Sequence, residues 1–151
     1  MPQAEPEAFI QALGNCVDNL GFHLPGVPEH LGRVELTDLA QRFTDALALW
    51  RGTPYPELEE SSAAVAERAR LAELRLVAVE DRALVRLRLG EHATVAAELE
   101  AQATLHPLRE RLWALWAMAL ARSGRQADAM AALRTVERTL AEELGVAPSA
   151  V

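Results

Sequence analysis

The C-terminal half of the sequence contains an internal repeat with an offset of 34 residues. Gly90 and Gly124 are 34 positions apart, and the residues around them match at the same offset. The identical pairs are Ala83 with Ala117, Arg88 with Arg122, Ala93 with Ala127, Ala97 with Ala131, and Leu99 with Leu133. A unit this short cannot bury its apolar face alone, so it must stack on its neighbours.

The residue types within the repeat predict a helix–turn–helix unit. The repeated glycine fits a tight turn, and Ala83 and Ala117 are small enough for paired helices to approach closely. Leu99 and Leu133 are expected to fill the groove between paired helices. The offset equals the period of tetratricopeptide repeats. We therefore expect an all-α, tetratricopeptide-like fold whose helix pairs stack as a right-handed superhelix.

The composition favours helix along the whole chain. The 29 alanines and 24 leucines, both strong helix formers, far outnumber the 5 isoleucine, phenylalanine and tyrosine residues. Apolar periodicity and the Gly and Pro positions predict about six helices and no strand. Their expected ranges are 6–20, 36–51, 61–89, 91–105, 107–122 and 126–144.

Capping residues predict where several of these helices begin. Thr37 is the expected N-cap of the second helix, and Ser61 or Ser62 that of the third. Pro107 is expected to open the fifth helix, with His106 just outside it, because proline is tolerated in a first turn.

Residues 21–35 form a long predicted loop, because glycine and proline crowd into this segment. We expect residues 1–35, the first helix and this loop, to pack on the same domain as residues 36–151, which hold the repeats.

Charge and composition exclude several classes of protein. The single cysteine, Cys16, excludes an internal disulfide framework and a cysteine-cluster metal site, which fits a reducing compartment. No stretch approaches the ~20 apolar residues of a membrane span. Residues 1–5 lack the basic start and apolar block of a signal peptide. We therefore expect no membrane partner.

The residues that invite a catalytic or metal-binding role have simpler structural explanations. His23 and His30 lack a third ligand at a defined spacing. No nucleophile or metal spacing accompanies His106, and Cys16 lies among apolar neighbours as a small core residue. The acidic group at Glu57, Glu59 and Glu60 is interpreted as a solvated approach to the third helix. The sequence predicts no catalytic, cofactor-binding or metal-binding residue, no cofactor and no enzymatic activity.

Two further groups are candidates for contacts with a partner protein. Trp113 and Trp116 are expected in the core, because the fifth helix is apolar nearly all round. Four arginines fall on one side of the third helix. These candidate partner-binding residues are Arg68, Arg75, Arg82 and Arg86. Because Glu67, Glu73, Glu80 and Asp81 interleave with them, a solvated, charge-paired face is the favoured interpretation. A contact with a partner protein is the alternative.

Five sequence blocks resemble the bacterial transcriptional activator domain of antibiotic-regulatory-type activators, in that family's order. They are ALALWRG at 46–52, RLAELRL at 70–76, HPLRERL at 106–112, SGRQA at 123–127 and LAEELGVAPS at 140–149. The resemblance covers roughly residues 36–149. It implies a tetratricopeptide-like domain of a cytoplasmic transcription regulator, in which a winged-helix DNA-binding domain often precedes this one. Residues 1–35 lack the strand and recognition-helix pattern of such a reader.

We therefore expect a non-catalytic protein-interaction and dimerisation module of a bacterial transcriptional regulator. The expected partner is a second copy in a homodimer or another protein. DNA would be bound only through a domain absent from this chain. Two alternatives remain open. One is a stand-alone helical adaptor that binds a partner protein or peptide in a groove. The other is a small-ligand sensor with an apolar pocket beneath residues 21–35, lined by Phe22, Phe43 or Trp50.

The charge pattern predicts that this chain alone does not bind duplex DNA at about 150 mM salt. Its net charge is −7 and its arginines alternate with acids, so no patch supplies the phosphate contacts with which DNA affinity begins. Fluorescence anisotropy with random duplex, and with a promoter of the parent regulator, checks this. Saturable micromolar binding that weakens steeply with added salt would contradict the prediction.

Overall fold

The computed structural model describes residues 6–18, 30–50 and 61–145, and these ranges contain six α-helices and no strand. The helices are α1 (Pro6–Asp18), α2 (Arg33–Ala48), α3 (Ser62–Arg88), α4 (His92–Leu105), α5 (Glu110–Arg122) and α6 (Gln126–Leu144). The all-α class and the helix count expected from the sequence are confirmed. None of the helices in the described ranges is long and apolar enough to cross a membrane.

The chain divides into two compact units, Met1–Val85 and Arg86–Val151, and the division falls within α3. In the first unit α1 packs against α2. Phe9 of α1 and Leu39 of α2 are fully buried there. Trp50, just beyond α2, meets Phe9 edge to face with 5.4 Å between ring centroids. The expected domain boundary between residues 35 and 36 stays a prediction.

Helix α2 begins three residues before the expected start, and Thr37 is not its N-cap. The backbone N–H of Gly32 donates to the Glu35 carboxylate at 2.6 Å, which fixes the first turn around Gly32 instead. The Thr37 hydroxyl donates back to the Arg33 carbonyl at 2.8 Å and so lies within the helix. By contrast, the Ser61 hydroxyl accepts from the backbone N–H of Ala64 at 3.2 Å, which confirms Ser61 as the cap of α3.

Helix α5 begins later than expected, at Glu110, with Arg109 as its N-cap. Pro107 and Leu108 form a separate turn that is closed by the Arg109 N–H donating to the His106 carbonyl at 3.1 Å. Because this turn contains Pro107 and Leu108, the helix begins after it, and Pro107 does not open the first helical turn.

In the second unit, α5 packs against both α4 and α6. Six of its thirteen residues are buried, including Leu112, Leu115 and Leu120. Val95 and Leu99 of α4 and Val136 and Leu140 of α6 are buried in the same unit. The placement of α5 therefore agrees with the apolar character of its sequence.

The hydrogen bonds around the two turns repeat at the same offset as the sequence. Glu91 donates its N–H to the Arg86 carbonyl and Arg125 donates to the Leu120 carbonyl, both at 2.9 Å. The glycine N–H donates three residues back at 3.1 Å in each copy. This pattern is a Schellman motif, which needs a left-handed residue. Gly90 and Gly124 supply it with φ of 87° and 81°.

One position of the repeat behaves differently in its two copies. Ala83 and Ala117 are both buried, as expected for close helix contacts, and Leu99 is fully buried. Leu133, its partner in the repeat, is 42% exposed. The expectation that Leu133 fills a groove between paired helices was therefore wrong. The residues that α6 buries are Ala129, Ala132, Val136 and Leu140, which lie along a different line on the helix.

Replacing Gly124 by alanine is expected to destabilise the fold by about 1–2 kcal/mol, because an L-residue is strained at positive φ. A Cβ at this position meets no atom within 4 Å, so the cost comes from the backbone alone. Asparagine, which tolerates this conformation better, should cost roughly half as much. Urea unfolding of the two variants measures both values, and an unaffected Gly124→Ala variant would contradict the motif.

Replacing the buried Ala117 by leucine is expected to overpack the second unit and to cost about 1–3 kcal/mol. Ala97 lies on α4 with its side chain exposed, so the matched Ala97→Leu change should shift the free energy of unfolding by under about 0.5 kcal/mol. Chemical denaturation compares the pair. Equal losses at the two sites would show that the helix register is wrong.

Candidate functional site

An exposed apolar surface lies along α6. Met130, Leu133, Glu137, Ala141 and Leu144 follow one another at helical spacing and share one face, which we call the α6 stripe. Its three large apolar side chains are exposed by 46%, 42% and 52% in chain order. Single exposed apolar residues are ordinary, but three on one helical face mark a candidate contact surface.

The internal repeat gives the α6 stripe a reference within the same unit. The residues of α4 at the same offset from Met130, Leu133 and Glu137 are Ala96, Leu99 and Ala103. All three are buried, and α4 packs against α5. The face that is interior on α4 is therefore exposed on α6. The sequence repeat alone could not predict this difference in exposure, because positions 99 and 133 are both leucine.

One flank of the stripe carries charges of both signs. Arg134 and Arg138 are exposed there, and Glu142 follows on the same flank near the end of the helix. Such a surface suits a partner with complementary alternating charges better than a polyanion.

The candidate arginines of α3 each have a contact within the chain. The Arg75 guanidinium lies 5.7 Å from the centre of the Trp50 ring, a cation–π arrangement. Arg82 donates to the Thr44 hydroxyl at 3.3 Å. Arg68 also has an interaction partner. These contacts locate the side chains, and their use by a partner protein stays a prediction.

Arg86 belongs to the second unit, where it forms an ion pair with Glu98 at 2.9 Å. Both side chains are largely shielded, with 21% and 23% exposed. Elsewhere on α3, the Arg70 guanidinium donates two hydrogen bonds to the Glu67 carboxylate in a bidentate ion pair. The hydrogen bond from Arg70 lowers the pKa of the Glu67 carboxyl. That pair lies at the surface, where such contacts contribute little to stability.

The interpretation of Glu80 and Asp81 as members of a solvated face was wrong. These side chains are 1% and 2% exposed, and both have interaction partners. Alternation of signs along α3 suggested surface pairing, but Val79 and Ala83 beside them are also buried. Since this part of α3 is buried on most sides, acids here need partners inside the protein.

The tryptophans of α5 lie beside a concavity of about 360 Å³ in the second unit. Trp113 is 6% exposed, as expected for a core residue, and Trp116 is half-buried. Their rings meet edge to face at 5.5 Å. The indole N–H of Trp113 has no hydrogen-bond partner among the described residues. The wall also includes Glu100, Arg125, Asp128 and Thr135.

An apolar pocket of about 200 Å³ lies in the first unit. Its described walls are Ile10, Leu13, Gly14, Phe43, Leu74, Val77, Ala78 and Asp81. Phe43 was one of the residues expected to line a ligand pocket. Phe22 lies outside the described residues, and Trp50 packs on Phe9 and Arg75.

The other candidate residues from the sequence form no ligand-binding or metal-binding arrangement in the described part of the chain. His30 is exposed, and no group of three His, Cys, Asp or Glu side chains there could hold a metal ion. His23, the acidic group at residues 57–60 and the side chain of Cys16 lie outside what the structure describes.

Comparison with known proteins shows relatives among bacterial regulators. The chain is 44% identical over 118 residues to the regulatory protein DnrI of Streptomyces peucetius, which covers 78% of this chain and 43% of that one. It is 36% identical over 137 residues to the transcriptional regulator RedD of Streptomyces coelicolor, with 90% and 39% covered. The chain thus spans less than half the length of these relatives.

A solved structure, Mycobacterium tuberculosis EmbR in complex with a low-affinity phosphopeptide, is similar with a TM-score of 0.81 and 28% identity. The match covers 95% of this chain and 35% of that one. The family model described as "Bacterial transcriptional activator domain" matches residues 29–151. The tetratricopeptide-like helical pairs, the regulator relatives and this match agree with one another. The chain belongs to the bacterial transcriptional activator domain family.

Proposed function

We propose that this domain is a non-catalytic interaction module that joins two copies of a cytoplasmic bacterial transcriptional regulator. Its relatives are regulators, which supports a role in transcription. The domain would act by holding protomers at a fixed distance, so that DNA-reading domains elsewhere in the regulator meet their sites in register.

The observation that carries the proposal is the exposed α6 stripe. Burying Met130, Leu133 and Leu144 against a partner removes apolar surface from water, which is the main driving force of association. The equivalent face of α4 is buried within the second unit, so this face of the repeat has a geometry that suits helix packing.

A second copy is the partner that the charges beside the stripe favour. A two-fold axis crossing α6 near residues 135 and 136 places Arg134 of one copy opposite Glu137 of the other, and the reverse. Symmetric dimers use one patch on both subunits, so each favourable pair occurs twice. This complementarity adds specificity to the apolar contact.

Arg68, Arg75 and Arg82 of the first unit form a proposed second contact, toward an acidic surface of a partner protein. Arg86 of the second unit is proposed as a separate contact of the same kind. Arg75 lies against the Trp50 ring and Arg82 donates to Thr44, so contacts within the chain position both side chains. A guanidinium presents five N–H donors in one plane. Lysine would keep the charge but lose the planar donor set. Arg68→Lys should therefore weaken a partner contact less than Arg68→Glu, and sedimentation of the two variants compares them.

A helical adaptor for a peptide is the second candidate function. The concavity beside Trp113 and Trp116 supports it, because aromatic anchors and mixed polar walls suit a peptide side chain. The EmbR relative was solved with a phosphopeptide, which is a property of that larger protein. A chain that stays monomeric and captures peptides beside Trp116 would favour the adaptor over the dimer.

Sedimentation equilibrium tests the proposed dimer. Over about 1–200 µM protein, the mass should rise from that of the 16.5 kDa monomer toward twice that value. Leu133→Gln removes a central apolar contact of the stripe and should weaken association by at least about tenfold.

Leu105→Gln is the matched control, because Leu105 is 70% exposed on a different helix. It should leave the association constant within about twofold of the parent value. A wild-type chain that remains monomeric throughout, or equal losses in the two variants, would remove dimerisation through α6.

A further inference from the structure

We infer that the first unit holds a binding site for a small, uncharged aromatic or aliphatic molecule that carries one hydrogen-bond donor. The site is the pocket lined by residues of α1, α2 and α3. It is separate from the α6 stripe, so it can be present or absent independently of the proposed dimer.

The volume and the walls define the chemistry of the ligand. The pocket measures about 200 Å³, and seven of its eight described lining residues are apolar. An apolar cavity of about 150 Å³ in a protein interior is known to take up benzene or xenon. A molecule with one or two fused rings therefore matches this space, whereas a nucleotide or a peptide segment exceeds it.

Among the described walls, one acidic residue determines which polar group of a ligand is favoured. Asp81 lines the pocket, is 2% exposed and already has an interaction partner. A carboxyl group has several acceptor sites, so it can accept a further hydrogen bond beside that interaction. An anionic ligand would meet a second acidic group in a site that solvates charge poorly. A donor such as an N–H or O–H is therefore favoured over an acid.

A glycine in α1 keeps one wall of the pocket open. Gly14 lies within the helix, where glycine is less stable than alanine. A Cβ at this position would meet no atom within 4 Å, so neither crowding nor positive φ explains the glycine. The space that it leaves adjoins the cavity. Ala78 of α3, which is 2% exposed, also lines the pocket with a small side chain.

Indole is a suitable probe, because its fused rings match the cavity and its N–H can donate to Asp81. With about nine non-hydrogen atoms, it is expected to bind the full chain with a Kd on the order of 0.1–1 mM. At about ten times that concentration, the Tm should rise by roughly 2–5 °C. Benzofuran has the same shape without the N–H, and it should bind at least about threefold more weakly.

Two variants connect this binding to the pocket. Ala78→Leu fills part of the cavity and should abolish the indole-dependent rise in Tm, while Ala72→Leu, at an exposed position of the same helix, should retain it. Gly14→Leu approaches the cavity from α1 and provides a second filling variant if Ala78→Leu does not fold. Leu133→Gln should retain indole binding, which separates this site from the dimer contact.

Methyl NMR spectra of the wild-type chain provide a measurement that needs no variant. Indole should shift the methyl resonances of Ile10 and Val77 in a saturable manner, with the same Kd as the thermal assay. The absence of a saturable shift up to the solubility limit of indole would overturn the inference. Equal binding by wild type and both filling variants would overturn it as well, and equal affinity for benzofuran would refute the role given to Asp81.

Discussion

The left-handed glycine turns are the constraint on which the repeat depends. At each turn, two backbone hydrogen bonds end one helix and return the chain for the next, and only a residue that tolerates positive φ permits this. A turn this short brings helices together that are neighbours in the sequence. In the second unit the Gly124 turn accordingly brings α6 against α5, and the separate turn after His106 brings α5 against α4. The apolar residues of these helices can pack against one another only because the turns fix the register of the helices.

Much of the fold follows from the sequence because its signals are local. Residue type alone predicts several helix ends. These are the helix breaks at Gly90, Gly124 and Gly145, the cap at Ser61 and the end of α6 at Leu144. The starts of α2 and α5 were less so. Glu35 replaces the expected cap of α2 by reaching back to Gly32, and a separate turn follows His106. In both cases two possible helix starts compete, and residue preferences alone do not show which one is the more stable.

The candidate surfaces were harder to predict, because exposure depends on what packs against a helix. Leu99 and Leu133 are identical in type and equivalent in the repeat, yet one is interior and the other is at the surface. Glu80 and Asp81 show the reverse difficulty, because acidic residues in an alternating charge pattern suggest solvent and these two are buried. The pocket beside Gly14 and Ala78 leaves no sequence pattern, since it arises from small residues on separate helices.

The sequence-local character of the turns also affects how the second unit loses structure. Helix α6 ends the described part of the unit, and the residues that it buries face helices already formed before it in the sequence. It can therefore open without disrupting the turn at Gly90, whereas opening α5 disturbs its contacts with both α4 and α6. Amide protons of α6 should accordingly exchange with solvent through partial openings, and those of α5 through more extensive ones. A partner seated on α6 would suppress the most frequent opening of the unit, so association and local order would strengthen each other.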